Sequence, residues 1–369
     1  MKTRTRFFQV VTFTALLPLF AAAYFEAEQS DQQLERIKIL QREDAVYSRL
    51  FERFGDPEEL LQRFRAGLHQ DSIQWEESQR SLRQLSSVGT TKSLTVLPLI
   101  DWYTVNDDLV GESAVSYLIR TEEATILFDV GANPGNEDPS PLMRNLDHLG
   151  IDLDQVDIIV ISHPHGDHTG GSTWLANQTF SLTGQQIDLG NIRAYVPVPM
   201  TYPGTSVVAS LDPVALAPGV ATTGVITNHC FFLGPIPEQA VAVNVEGLGI
   251  VVISGCGHQT VVKLFDRVEL LFEAPVKGFV GGLHYPITKG RNIDLQRFFG
   301  TGKIPGEIQT MEEVQTNIDF LKAKGLRLIA ISPHDSCDAS IEAFKAAFPA
   351  ITKDLVVGRE ISFSSAESM

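Results

Sequence analysis

Nine residues, "HPHGDHTGG" from His163 to Gly171, place three histidines and an aspartate within six positions, directly after the apolar run "VDIIVIS". His163 and His165 alternate along an extended backbone and can reach the same side. Pro164 stiffens the turn, Gly166 lets the chain bend, and Asp167 and His168 are thereby presented to a neighbouring position. Imidazole and carboxylate together suit zinc, iron or manganese. The preceding run reads as a buried strand, so the four side chains occupy the loop at its C-terminal end, where α/β folds build their sites. A merely solvated polar turn has no need of so many metal-capable groups in one string.

Three more histidines follow apolar runs in the same way. "VVISGCGHQT" delivers Cys256 and His258, "GFVGGLHYP" delivers His284, and "LRLIAISPHDSCD" delivers His334. One such histidine would ordinarily be a satisfied polar group. Several strand ends converging on one edge make His258 and His334 candidate ligands, with His284 either a ligand or a residue that hydrogen-bonds the substrate. His69, in a helical stretch, and His148, before a turn, are read as ordinary polar residues, and His229 in "TNHCFFLG" fits a structural role better than a ligand's.

Elements that could hold these residues are legible around them. Leu34, Ile37, Leu40, Tyr47, Leu50, Phe51 and Phe54 form one helical stripe over residues 31 to 54. In "GDPEELLQRF", Gly55 stops that helix, Asp56 caps the next, and Pro57 takes its first position. A second helix is expected to about Leu68 and a third near Ile73 to Leu85, giving a helical arm over 26–90. The arm reads as a hairpin packed on the main body, or alternatively as a dimerisation surface. From residue 93 short β-rich runs take over, and strands and helices alternate in the second half, so 93–364 is expected to be one layered α/β domain. Residues 172–237 are longer than a link requires. Their Pro and aromatic content suggests a lid with Tyr202, Phe231 and Phe232 as pocket walls, or else a structural insertion.

The totals narrow the class. The chain has 369 residues with 43 % hydrophobic and 20 % charged content, ordinary for a globular protein. A formal net charge of −16 repels phosphate backbones, which argues against a nucleic-acid partner. Three cysteines are too few for a disulfide scaffold. Lys2, Arg4 and Arg6 precede a run without charge from Phe7 to Phe25 that ends near Ala21-Ala22-Ala23. Residues 1–25 are therefore expected to be an export signal cleaved near Tyr24, or an uncleaved anchor. Either reading puts the body outside the cytoplasm, periplasmic or extracellular, with membrane contact only if the segment stays attached.

The string His163-x-His165-x-Asp167-His168, with its later strand-end histidines, resembles the metallo-β-lactamase superfamily over roughly residues 93–364. The resemblance implies an αββα sandwich carrying one or two divalent metals. His163, His165 and His258 would hold the first, and Asp167, His168 and His334 the second, with Asp129 of "LFDVG" bracing the loop from behind. Within the superfamily, Glu238-Gln239, "GCGH" and "GGLH" resemble the branch named for 7,8-dihydropterin-6-methyl-4-(β-D-ribofuranosyl)aminobenzene-5′-phosphate synthase. Gly257, Leu283 and the "PHDSCD" string depart from that branch's pattern, and the export signal argues against a pterin substrate. No aspartate stands where a bridging ligand is usual. Cys256 fills that place as thiolate, or hydroxide alone bridges, or a single metal binds tightly.

The chemistry implied is hydrolysis by a metal-bound hydroxide of a small-molecule ester, lactone, amide or phosphoester. Asp167 would orient the hydroxide and carry a proton, and His284 would stabilise charge on the attacked oxygen. A pterin-type transferase, or a metal-binding module without catalysis, is the competing expectation. Zinc is the expected metal, with iron or manganese as alternatives, and self-association through the helical arm is a further expectation.

Overall fold

The computed structural model describes residues 16–291 and 296–364. It divides into two compact units, residues 1–63 with 304–306 and residues 64–303 with 307–369. The expected helical arm over 26–90 is thus divided at Arg63.

In the first unit, helix α1 (Leu16–Glu43) ends where Asp44 caps α2 (Ala45–Phe54), its carboxylate accepting from Val46 N at 2.8 Å and Tyr47 N at 3.2 Å. The single helix expected over 31–54 is therefore broken at Asp44. Gly55, at φ 124°, closes α2, and Asp56 caps α3 (Pro57–Ser81) through Glu58 N and Glu59 N. The separate helices expected to Leu68 and from Ile73 are one, because nothing between them breaks the periodicity. Gly306 N donates to Tyr47 Oη at 2.8 Å within this unit. Residues 1–15, the start of the expected leader, lie outside the described residues, and among the described residues no helix is long and apolar enough to cross a membrane.

The second unit begins with strands β1 (Ser93–Ile100), β2 (Ser116–Arg120) and β3 (Thr125–Phe128), followed by helix α4 (Pro141–His148) and strand β4 (Ile158–Val160). Short helix α5 (Ser172–Ala176) precedes β5 (Arg193–Val196), β6 (Ser206–Ala209), β7 (Ala215–Ala217) and β8 (Val220–Thr222). A hairpin, β9 (Ile226–Cys230) and β10 (Gly234–Glu238), leads to β11 (Val241–Val245) and β12 (Gly249–Ser254). Then come α6 (Val261–Leu271), β13 (Val276–Gly281), α7 (Met311–Lys324), β14 (Leu328–Ile331), α8 (Asp338–Ala347) and β15 (Ile361–Ser364).

One sheet runs β15-β1-β2-β3-β4-β5-β6 and the other β14-β13-β12-β11-β8-β7. The layering follows from strand periodicity. Ile126, Phe128, Ile158 and Val160 turn to a core shared with Val243, Val251, Ile253 and Val280 of the second sheet. Their neighbours Leu127 and Ile159 face the other way and pack with Leu142 and Leu146 of α4. Beyond the second sheet, Phe279 and Ile329 pack with Leu264, Phe265, Leu321 and Phe344 of α6, α7 and α8. The result is an αββα sandwich, and runs apolar at every position belong to sheets covered on both faces.

Much of residues 172–237, read from sequence as a lid or else a structural insertion, is built into the sheets, while β9 and β10 pair only with each other. Strands β5 and β6 extend the first sheet and β7 and β8 the second. Tyr202 is not a pocket wall but a core residue, its ring 4.9 Å from Phe180 and its hydroxyl donating to Ile187 O at 3.0 Å. Phe231 and Phe232 are likewise buried, with the Phe231 ring tilted against that of Phe64, centroids 5.4 Å apart. Apolar side chains on short strands are better satisfied inside the layers than at a cavity rim.

Candidate metal centre

Parallel neighbours β3 and β4 in one sheet, and β12, β13 and β14 in the other, end at the same edge of the sandwich. Asp129 follows β3, and the His163–Gly171 loop follows β4. Gly255 to His258 follow β12, Gly282 to His284 follow β13, and Ser332 to Asp335 follow β14. Five strand ends therefore supply one site.

The loop is closed by its own backbone. Gly171 N donates to Gly166 O at 2.8 Å, Gly170 N to Gly131 O at 2.9 Å, and Val130 N to His168 O at 3.1 Å. Gly170 holds φ 80°, and a Cβ there would stand 1.9 Å from Ser181 O, so glycine is required. Asp129, fully buried, accepts from Ser162 N at 2.7 Å, Ser162 Oγ at 2.7 Å and His168 Nδ1 at 2.7 Å.

Imidazole after imidazole has its Nδ1 tied to a protein oxygen. His163 Nδ1 lies 2.9 Å from Ser162 Oγ, His334 Nδ1 2.5 Å from Ser332 Oγ, and His258 Nδ1 3.1 Å from Thr301 Oγ1. Their Nε2 atoms remain for the centre. His168 Nε2 and His334 Nε2 lie 3.2 and 3.1 Å from Cys256 Sγ, and His163 Nε2 is 3.0 Å from His165 Nδ1. Donor atoms of Asp167, His168, Cys256 and His334 all lie within 4.8 Å of one another, as do those of His163, Cys256 and His258. His165 joins the second group by its contact with His163 and by a ring 5.1 Å from that of His258. Nδ1 anchored by an oxygen and Nε2 aimed at a shared point is the arrangement of ligating histidines, so these residues fit divalent metal. The sequence candidates His163, His165, Asp167, His168, His258 and His334 are all brought together, with Cys256 common to both groups. His284 stands beside them, its ring 4.5 Å from His258. His229 lies elsewhere, 2.7 Å from Asp71 Oδ2, in a structural pair.

Protonation favours ligation. Burial, and then the neighbouring imidazoles, push His163 and His258 well below the usual histidine range, and burial likewise lowers His334. Burial brings His165 and His284 down to about 4. These rings are neutral at pH 7, with lone pairs available. Burial also works against charge on His168, but Cys256, Asp167 and Asp129 outweigh it and raise that pKa. Metal binding must displace the proton.

Several residues that build the site lie outside the histidine motif, Glu238 and Gln239 of the branch resemblance among them. Glu238 Oε1 accepts from Cys256 N at 3.1 Å and Gly257 N at 2.9 Å, holding the turn that presents Cys256 and His258. Gln239 donates to Ile161 O at 2.9 Å and its backbone N to Ser162 O, tying the histidine loop to the same strand. Asp101 accepts from Ser332 Oγ at 2.7 Å and Tyr117 Oη at 2.8 Å, repeating for His334 what Asp129 does for the histidine loop. An aspartate directly after "SLTVLPLI" was the available clue.

Residues 109–181 match the family model of the metallo-beta-lactamase superfamily. The crystal structure of Tm1679, a metal-dependent hydrolase of the β-lactamase superfamily, superposes with a TM-score of 0.51 at 17 % identity, covering 73 % of this chain and 99 % of that one. In sequence the chain is similar to the 7,8-dihydropterin-6-methyl-4-(beta-D-ribofuranosyl)-aminobenzene-5'-phosphate synthase of Methanocaldococcus jannaschii, at 22 % identity over 241 residues, 54 % of this chain and 80 % of the relative. A shorter likeness, 46 % over 61 residues, covers 16 % of this chain and 9 % of transcription termination factor FttA of Cenarchaeum symbiosum.

Proposed function

We propose that this protein is a metal-dependent hydrolase of a small-molecule ester, lactone, amide or phosphoester. The observation that carries the reading is the donor set of His163, His165, Asp167, His168, Cys256, His258 and His334, whose free nitrogens, carboxylate and sulfur face one another at three strand ends. Nitrogen, oxygen and sulfur donors in one set suit zinc, and iron next. When bound, a divalent ion supplies a Lewis acid and lowers the pKa of water towards about 7. Asp167 keeps 31 % of its side chain exposed, while His168 beside it is fully enclosed. Asp167 can therefore hydrogen-bond an incoming water, orient it, and take its proton. The net charge of −16 supports a small substrate rather than a polyphosphate chain.

A pterin-type synthase is the second reading, supported by the similarity to the archaeal synthase and by Glu238-Gln239, whose hydrogen bonds hold both ligand loops. Metal analysis with turnover on generic esters, lactones, amides and phosphodiesters tests the hydrolase. We expect one to two equivalents of metal at the paired positions and hydrolysis in at least one class. Negligible metal after growth with supplementation would overturn it. We further propose that the basic, apolar leader exports the body, leaving a mature chain that begins near Tyr24. Intact mass of protein from fractionated cells checks this, and a full-length species in the soluble cytoplasm rules it out.

A further inference from the structure

We propose that Cys256, His284 and Asp335 form a third cation position beside the two built around the histidine loop. One donor atom from each lies within 4.8 Å of the others, so a small inward movement of the side chains would set all three on a single ion. His284 Nε2 lies 3.3 Å from the carbonyl oxygen of Gln296, which fixes that nitrogen as the N–H. Nδ1 then keeps its lone pair, and it is buried without a hydrogen-bond partner in a residue only 5 % exposed. Asp335 is fully buried. Its Oδ2 accepts from His284 N at 2.8 Å and its Oδ1 from Ser336 Oγ at 3.0 Å. The nearby His334 Nδ1, 3.9 Å away, is already engaged with Ser332. Among the described residues no lysine or arginine forms an ion pair with Asp335. An imidazole lone pair, a carboxyl group and a sulfur thus share one buried space, and the lone pair is left without a partner unless a cation takes it.

The backbone is shaped to the same end. Gly282 has no side chain, and a Cβ there would stand 2.5 Å from Asp335 Oδ2. His284 holds φ 54°, sparsely populated for a residue with a Cβ, and the Asp335 bond to its N–H keeps it there. Thiolate, imidazole and carboxylate together select a borderline divalent ion such as zinc over magnesium or calcium. The inference goes beyond the hydrolase reading, because it concerns how many ions the centre takes and not what reaction it runs.

The test counts ions. Full-length protein is stripped with chelator, dialysed against a fixed free zinc concentration, and measured by elemental analysis. Wild type is expected to hold one equivalent more than His284→Gln, Asp335→Asn or the double variant, with melting cooperativity retained. Variants that hold as many equivalents as wild type overturn the third position and leave the hydrolase reading standing, whereas a wild-type count of zero overturns both. If Asp335→Asn does not fold, the His284→Gln count decides alone.

Discussion

Asp167 and His163 lie four residues apart, yet they have different surroundings and so different expected losses. The side chain of Asp167 is partly open, and although burial tends to raise its pKa, His168 and nearby imidazoles hold its carboxyl below the usual range. It is therefore ionised at neutral pH, with its carboxylate oxygens open to orient a water. Asp167→Asn removes that capacity, and turnover at saturating metal should fall by roughly 10²- to 10⁴-fold in a steady-state assay. Near wild-type turnover would remove Asp167 from the reaction centre. His163→Ala should instead lower bound metal outright, read by elemental analysis, because a primary ligand is gone. Asp129 touches no substrate but satisfies Ser162 and His168 together. Asp129→Asn offers one acceptor where two are used, and metal affinity measured by competition with a chelating dye should drop by about 10- to 100-fold.

Elements matter here through how they end. Each ligand follows a short buried strand, and the turn after it is fixed by a few side-chain bonds or by a glycine where a side chain cannot fit. Gly170→Ala would drive a methyl group into Ser181 O and ask a residue with a Cβ to hold φ 80°. We expect a loss of about 3 kcal/mol, read as a lower denaturant midpoint, together with weakened metal binding. The strand ends themselves were legible, since apolar runs closing on histidine or aspartate mark them. Helix breaks were less so. Asp44 ends α1 by capping α2, a local hydrogen bond that competes with continued periodicity and looks like any other exposed acid in the sequence.

At the scale of the whole molecule, the centre joins the two sheets of the second unit. His163, His165, Asp167 and His168 come from the first, and Cys256, His258 and His334 from the second. An ion bound there links the two layers and favours the folded state over the unfolded chain. Chelation should therefore lower the melting temperature, and at ion concentrations about 100-fold above Kd each site contributes about 2.7 kcal/mol. Scanning calorimetry with and without chelator checks this, and an unchanged melt would separate the site from stability.

By itself the sequence determined the ligand chemistry, because His163-x-His165-x-Asp167-His168 needs only local geometry to be read. It also determined the layered class, since burial on both faces writes itself as unbroken apolar runs. Tertiary structure decided which distant groups serve that chemistry. Asp101, 233 positions before His334, braces it through Ser332, and Glu238 shapes the turn bearing Cys256. No spacing rule announces such partners, for a buried carboxylate is placed by long-range packing and not by its neighbours in the chain. The segment 172–237 teaches the same lesson in reverse. Its prolines and aromatics read as a lid or an insertion, yet backbone pairing drew β5 to β8 onto the edges of the two sheets, because strand edges and apolar rings are more stable covered than exposed.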